Sequence, residues 1–222
     1  MSKGKFAVIE GLDGSGKATQ TELICEKLTK RNKKFCKLSF PDYNEPSSAL
    51  VKMYMNSEFG SSPDDVNVYA ASSFYAVERY ASYKKFWKNK YENGQLIIAD
   101  RYTTSNEIYQ LCRLGKSRWD VYLDWLEDYE YSKLGLPKPD LVIYLDMPVD
   151  VSQKLMQNRY NGDVSKKDLY EKNVEFLKKC RATAMYTAKK FDWKVIPCSE
   201  NGAPKPIDEI NHLLEILIEP LI

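Results

Sequence analysis

The sequence predicts an α/β fold in which a five-stranded parallel sheet lies between two layers of helices. Strand-like runs alternate with helical patterns along the chain, as is typical of parallel sheets covered by helices on both faces. The run at residues 141–145 is almost continuously apolar, as expected of a strand that is buried on both faces. A glycine-rich turn also joins the first strand directly to the first helix.

The five strands are predicted at residues 5–10, 35–40, 95–99, 141–145 and 194–197. Prolines and glycines punctuate the loops between these runs. In an open parallel sheet, ligands bind outside the carboxyl ends of the strands. The residues that follow each strand are therefore the first place to look for functional side chains.

The segments between the strands predict helices and one lid. The first helix is expected from residue 17 to about residue 31, and residues 65–92 are expected to form a long helix rich in aromatic side chains. The polar, glycine-bearing segment at about 158–168 lies between two helical patterns and predicts a short lid. We see no linker, so residues 1–222 are expected to form a single domain.

The turn after the first strand predicts a loop that binds nucleotide phosphates. Glycines allow backbone conformations in which successive N–H groups point inward, and the following helix directs its positive end to the same point. Lys17 would reach the β- and γ-phosphates as a point charge. The residues predicted for this site are Gly11, Asp13, Gly14, Ser15, Gly16, Lys17, Ala18 and Thr19.

One position of the loop departs from the pattern G-x-x-x-x-G-K-[ST]. Ala18 stands where most such loops carry a hydroxyl that ligates Mg²⁺, and Thr19 comes one residue late. A magnesium ion would therefore be held by waters, by nucleotide oxygens and by carboxylates elsewhere. The alanine at position 18 therefore argues against the usual magnesium geometry, but it does not argue against nucleotide binding.

Composition excludes several classes of function. The 222 residues carry a formal net charge of +2, so no strong field for nucleic acid is implied. The chain has no apolar run long enough to cross a membrane and no room for a signal peptide before the first strand. Its five scattered cysteines indicate reduced thiols and a cytoplasmic location. Because His212 is the only histidine, a Ser-His-Asp triad or a histidine-rich zinc site is excluded.

Together these residues resemble the thymidylate kinase family, and the resemblance covers essentially the whole chain. The glycine loop alone is shared by many nucleotide-binding proteins. The tripeptide at 100–102, followed at short distance by Ser105 and by the pair at 109–110, is more specific. Further support comes from three other segments, at 40–41, 75–79 and 136–142. The resemblance implies a P-loop NTPase-type fold and transfer of the γ-phosphate of ATP to dTMP.

The resemblance also implies the residues at the phosphates. Lys17 and Arg101 would neutralise the transferred phosphate, and Asp13 would contact the 3′-hydroxyl of the acceptor sugar. Asp100 would serve Mg²⁺ through water. Some relatives place an arginine in the loop where this chain has Gly14, so the missing cation would come from the lid. Arg159 is the candidate there, and it would also bind ATP; Lys166 and Lys167 are the alternatives.

For the acceptor nucleotide, the resemblance implies a pocket built from several segments. Tyr75, where the family usually has Phe, would stack on the base, and Arg79 would donate to the base O4. Asn106 would read the N3 edge, and Tyr109 would lie under the sugar. The complete set is Asp13, Phe40, Pro41, Tyr43, Tyr75, Arg79, Arg101, Ser105, Asn106, Tyr109 and Gln110. A homodimer built from helix faces is also implied.

Two other functions remain open from the sequence. The chain could be another nucleotide or nucleoside kinase. A nucleoside kinase would need a base to deprotonate the 5′-hydroxyl, and Glu10 is the only obvious candidate. It could also be a non-catalytic nucleotide-binding protein that has lost the magnesium hydroxyl at Ala18.

Overall fold

The structure, a computed structural model, describes residues 3–159 and 173–222. Its central sheet has the strand order β2-β3-β1-β4-β5, and every neighbouring pair is parallel. The predicted α/β fold with a five-stranded parallel sheet is confirmed. Each predicted strand end lies within one residue of the observed end, and the strands are β1 (Phe6–Gly11), β2 (Phe35–Ser39), β3 (Leu96–Asp100), β4 (Leu141–Asp146) and β5 (Lys194–Pro197).

Helices connect the strands, together with short 3₁₀ and π-helical turns. The predicted helix at 65–92 begins only at Val68, because Asn67 caps the N–H groups of the first turn. It also contains a π-helical turn at Tyr83–Trp87. The α-helices are α1 (Lys17–Lys30), α2 (Ala49–Met55), α3 (Val68–Ser82), α4 (Lys88–Glu92), α5 (Thr103–Tyr109), α6 (Trp119–Glu127), α7 (Val149–Arg159), α8 (Val174–Lys190) and α9 (Ile207–Ile218).

Strand β1 shows why the sheet is buried on both faces. Successive side chains of a strand point to opposite faces. Ala7 and Ile9 pack into the apolar cluster that contains α1 and α9. Phe6 and Val8 pack into the opposite cluster around Trp87. A strand covered on both sides is apolar along its length, which is the pattern that the sequence analysis used.

A small hairpin near the C-terminus was not predicted. Strands β6 (Ser199–Glu200) and β7 (Ala203–Pro204) pair antiparallel. Asn201 and Gly202 between them have φ angles of 51° and 75°, as a two-residue type I′ turn requires. The Asn-Gly dipeptide was the signal that could have revealed it.

The cysteines and the membrane prediction can be checked directly. All five cysteines are buried and free of disulfides. Two of them, Cys112 and Cys180, have their sulfur atoms 3.4 Å apart. Within residues 3–159 and 173–222, no helix is both long enough and apolar enough to cross a membrane.

Candidate active site

A cavity of about 400 Å³ opens at the carboxyl ends of β1, β2 and β3. This is the edge of the sheet where ligands of such folds bind. The structure brings together every residue that was predicted for the acceptor pocket. They are Asp13, Phe40, Pro41, Tyr43, Tyr75, Arg79, Arg101, Ser105, Asn106, Tyr109 and Gln110. Lys17, Ala18 and Asp100 line the same cavity, as do Ser39, Met55 and Tyr102, which the sequence analysis missed.

The glycine loop after β1 has the conformation that its sequence predicts. Gly14 and Gly16 have φ angles of 78° and 88°, a region that favours glycine. A Cβ atom on Gly14 would also lie only 3.0 Å from the Ser152 carbonyl oxygen. Helix α1 begins at Lys17 without a side-chain cap. Its first N–H groups therefore remain available to an anion at the loop.

Three charged side chains meet between the loop and β3. The Asp13 carboxylate lies 2.5 Å from the Arg101 guanidinium and 3.2 Å from the Lys17 ammonium. The Tyr109 hydroxyl donates to the same carboxylate at 3.2 Å. Burial alone would raise the pKa of Asp13, but the charges of Arg101 and Lys17 outweigh it and hold that pKa well below its usual value. Asp13 is therefore ionised at neutral pH and compensates the two cations.

Arg101 is held in place by its backbone and by hydrogen bonds. Its φ angle is 68°, a left-handed conformation that costs a non-glycine residue about 1–2 kcal/mol. Its guanidinium donates to Ser105 at 3.3 Å, and the Ser105 hydroxyl donates to the buried Glu10 carboxylate at 2.5 Å. Burial raises the pKa of Glu10, against the opposing charge of Arg101. The strained backbone turns Arg101 toward the glycine loop, as its predicted role requires.

The metal prediction concerns Ala18, Thr19 and Asp100. Ala18 lines the cavity, whereas Thr19 is exposed and is not part of the lining. Asp100 lines the cavity as well, and its Oδ1 is buried with no hydrogen-bond partner among the described residues. Within that part of the chain, no cluster of three or more His, Cys, Asp or Glu side chains could hold a metal. The single carboxylate of Asp100 fits a magnesium ion that keeps most of its water ligands.

Tyr75 and Arg79 lie four residues apart on α3 and reach the cavity from the same face. Burial raises the pKa of the Tyr75 hydroxyl, so this group stays protonated and can donate. It donates to the sulfur atom of Met55 at 3.4 Å. The extra hydroxyl that distinguishes Tyr75 from the usual Phe therefore has a weak partner.

Arg79 is almost completely buried and pairs with Glu130, which is fully buried. Its Nε donates to the Glu130 Oε2 at 2.7 Å, and its second guanidinium nitrogen donates to Oε1. Its third nitrogen lies 3.4 Å from the carbonyl oxygen of Tyr102. The sequence analysis missed Glu130, since no motif surrounds it.

Asn106 also contacts this carboxylate. Its Nδ2 donates to the carbonyl oxygen of Ser72 at 3.3 Å and lies 3.4 Å from the Glu130 Oε1. The amide could have offered a donor and an acceptor to the cavity. With Nδ2 used inside the protein, what remains for a ligand is Oδ1, an acceptor.

Some sequence predictions fall outside the described residues. Arg159 is the last residue of α7, and its side chain is not among the described atoms. Residues 160–168 of the predicted lid lie outside the described part of the chain. Lys166 and Lys167 belong to that segment.

Comparisons with known proteins point to one family. The family model described as "Thymidylate kinase" matches residues 9–205. The thymidylate kinase of Plasmodium falciparum is 28% identical over 219 residues, which cover 98% of this chain and 93% of the relative. That of Mycobacterium tuberculosis is 27% identical over 169 residues, which cover 75% and 78%.

A solved structure of thymidylate kinase from Candida albicans has the same fold. It superposes with a TM-score of 0.73 at 24% identity and covers 99% of this chain and 93% of its own. At that identity the superposition supports the fold alone. The family model, which spans most of the residues, carries the assignment: this chain belongs to the thymidylate kinase family.

Proposed function

We propose that this chain transfers the γ-phosphate of ATP to dTMP and releases dTDP and ADP. Members of its family are ATP-dependent nucleoside monophosphate kinases. One observation carries the proposal for this chain: a single cavity joins the cations Lys17 and Arg101 to the base-reading groups of Arg79 and Asn106. A phosphorylated pyrimidine nucleoside has its negative charge at one end and its base edge at the other. The phosphate would meet the two cations while the base meets Arg79 and Asn106.

The reaction needs positioning and charge neutralisation more than proton transfer. The acceptor phosphate is already ionised at neutral pH, so no general base is required. Lys17 and Arg101 would bind the phosphates and stabilise charge that spreads over the transferred group. Both cations are held in place before binding by Asp13, so little reorganisation is needed when phosphates arrive.

Asp13 would then act on the sugar. Its carboxylate stays ionised in the folded protein and can only accept hydrogen bonds. A 3′-hydroxyl of the acceptor is a suitable donor. Tyr109, which donates to Asp13, would lie under the sugar beside it, with Ser105 and Gln110 in the same wall.

We propose that Asp100 holds Mg²⁺ through bound water. The Oδ1 of Asp100 is buried and has no hydrogen-bond partner within the described part of the chain, which supports this role. The side chain of Ala18 offers no oxygen to the ion. When bound, the ion would neutralise negative charge on the phosphates of ATP.

The base would be read by three side chains. Tyr75 would stack on the ring while Phe40, Pro41 and Tyr43 wall the pocket. Arg79 would donate to O4, and the Oδ1 of Asn106 would accept from N3–H.

The lid cation is proposed to be Arg159. A guanidinium suits bidentate contact with the transferred phosphate. Arg159→Ala is then expected to lower kcat more than it raises the KM for dTMP. A change confined to KM would place the lid cation elsewhere.

A panel assay tests the proposed function against its rivals. ADP release would be measured with dTMP, dUMP, dGMP, dCMP and thymidine as acceptors, with ATP as donor. We expect dTMP to give the highest kcat/KM. Turnover of thymidine but not dTMP would indicate a nucleoside kinase with Glu10 as base. No turnover with any acceptor, together with measurable ATP binding, would indicate a non-catalytic nucleotide-binding protein.

We also propose a homodimer, a single domain and a cytoplasmic location. Apolar side chains are exposed on α3 at Val77 and Tyr80, in the next turn at Phe86, and on α6 at Val121. A symmetric partner would bury these faces. Sedimentation of the intact chain at several concentrations tests the dimer. The five free thiols support a reducing compartment.

A further inference from the structure

The base-reading end of the cavity rests on a carboxylate that does not itself line the cavity. Glu130 lies in a π-helical turn, Asp128–Lys133, directly after α6. Its side chain is fully buried behind Arg79, Thr103 and Asn106. Such turns are rare and occur frequently at functional sites.

The hydrogen bonds of Glu130 occupy the whole carboxylate. Oε2 accepts from Arg79 Nε at 2.7 Å and from the Thr103 hydroxyl at 2.8 Å. Oε1 accepts from a second Arg79 nitrogen and lies 3.4 Å from the Asn106 Nδ2. A carboxylate has about four acceptor positions, so all of them are used. The four donor groups belong to three residues, Arg79 on α3 and Thr103 and Asn106 on α5. One carboxylate therefore fixes the positions of polar side chains from both helices.

This arrangement determines what the cavity can offer to a base. Because a carboxylate only accepts, it turns the N–H₂ side of Asn106 inward and leaves the oxygen as the available group. It also holds the guanidinium plane of Arg79 through two bonds, and the third nitrogen donates to the Tyr102 carbonyl oxygen. Two of the five N–H donors are left for a ligand. The cavity thus presents a donor from Arg79 and an acceptor, the Oδ1 of Asn106, to a base. That pattern matches O4 and N3–H of a thymine or uracil ring and opposes the amino group and bare N3 of cytosine.

We propose that Glu130 is a positioning residue that sets this donor and acceptor pattern and thereby selects a 4-keto over a 4-amino pyrimidine monophosphate. The proposal rests on the proposed function, since it concerns the acceptor of the same reaction. Glu130 touches no substrate and acts only through Arg79 and Asn106.

A purely structural ion pair is the competing explanation. Buried pairs are weak evidence for stability, yet removal of one partner leaves a costly unpaired charge. Lower stability of a Glu130 variant would therefore not separate the two explanations. Selectivity between bases separates them, because a structural role has no reason to favour one base edge over another.

The main test compares Glu130→Gln with Glu107→Gln. The first variant keeps the side-chain volume but introduces an amide N–H₂ group, which favours reversal of the Asn106 amide. Glu107 on α5 is also buried, its Oε2 has no hydrogen-bond partner among residues 3–159 and 173–222, and it does not line this cavity. It is therefore the matched control. Kinetics with dTMP and dCMP, the KM for ATP and thermal unfolding would be measured for each.

For Glu130→Gln we expect the ratio of kcat/KM for dTMP over dCMP to fall about tenfold or more, since a misplaced polar group discriminates strongly. The KM for ATP should stay within about twofold, because the ATP phosphates bind elsewhere. Glu107→Gln should keep the wild-type ratio. An unchanged ratio in Glu130→Gln, or an equal loss in Glu107→Gln, would overturn the proposal.

Thr103→Val is a second variant that tests the same proposal if Glu130→Gln does not fold. It removes one hydrogen bond to Glu130 and preserves the charge, and the same ratio should fall about threefold. An unchanged ratio would then overturn the proposal. Wild-type turnover of dTMP tests the proposed function separately. Calorimetric binding of dTMP and dCMP would measure the same selectivity in a protein without turnover.

Discussion

The two ends of the cavity use ion pairs in opposite ways. At the phosphate end, Asp13, Lys17 and Arg101 have side chains that are 22%, 12% and 18% exposed. At the base end, Arg79 and Glu130 are 2% and 0% exposed. Charges that reach solvent can exchange partners when phosphates bind, whereas a buried pair cannot separate cheaply. We therefore expect the ion pairs of the phosphate end to change partners during turnover and the pair at the base end to stay intact.

The largest expected effect lies at the phosphate end. Lys17→Ala should lower kcat roughly 10³-fold, or about 4 kcal/mol of transition-state stabilisation, because a charge aimed at the phosphates is lost. The thermal midpoint should change little. Lys27→Ala, on the same helix with a half-exposed pair to Glu215, is the control for activity and fold. Retention of more than about a tenth of the activity in Lys17→Ala would contradict the assigned role.

A change at the base end should instead reduce stability. Arg79→Met leaves Glu130 buried without its cation and should cost about 3 kcal/mol in the free energy of unfolding. Arg31→Met removes an exposed pair with Glu219 and should lower the free energy of unfolding far less, because exposed pairs contribute little. Urea unfolding of both variants measures the contrast. Equal losses would show that burial does not distinguish the two kinds of pair.

The pH dependence of stability should report the phosphate end. The folded pKa of Asp13 lies below its unfolded value, so its contribution is fully present above about pH 4 and is lost as the pH falls toward the folded pKa. The difference in unfolding free energy between wild type and Asp13→Asn should be about 2 kcal/mol at neutral pH. It should shrink under acid, as followed by urea unfolding between about pH 7 and pH 3. A constant difference would place the stabilisation elsewhere.

The smallest effect is expected at the wall of the base end. Tyr75→Phe removes a hydroxyl that donates to the Met55 sulfur at 3.4 Å, which is a weak acceptor, and keeps the aromatic ring. The KM for dTMP should change by less than about twofold. A large rise in KM would show that the hydroxyl contacts the nucleotide.

The difference between the two ends of the cavity also explains which residues could be predicted from the sequence. The phosphate end is encoded by short segments that follow strands, and parallel strands bring their carboxyl ends to one edge. Motif and spacing were therefore enough to predict that Asp13, Lys17 and Arg101 lie together at one cavity, while their roles at the phosphates stay predictions. The five strands were predictable for a related reason, since hydrophobic periodicity reports burial directly.

The base end could be predicted only in part. Tyr75 and Arg79 share a helix face, which their spacing indicates. Glu130, however, is 51 positions from Arg79 and joins it through packing of separate helices. No local pattern marks such a contact, and an acid in a predicted helix usually lies on its exposed face. The inward orientation of the Asn106 amide was unpredictable for the same reason.

Transfer of the terminal phosphate is the central claim and can be observed directly. The protein would be incubated with dTMP and ATP labelled at the γ-phosphate, and the products would be separated. We predict that the label appears in dTDP in step with ADP, and that Lys17→Ala forms labelled dTDP roughly 10³-fold more slowly. Label found in inorganic phosphate alone, with none in dTDP, would contradict this claim.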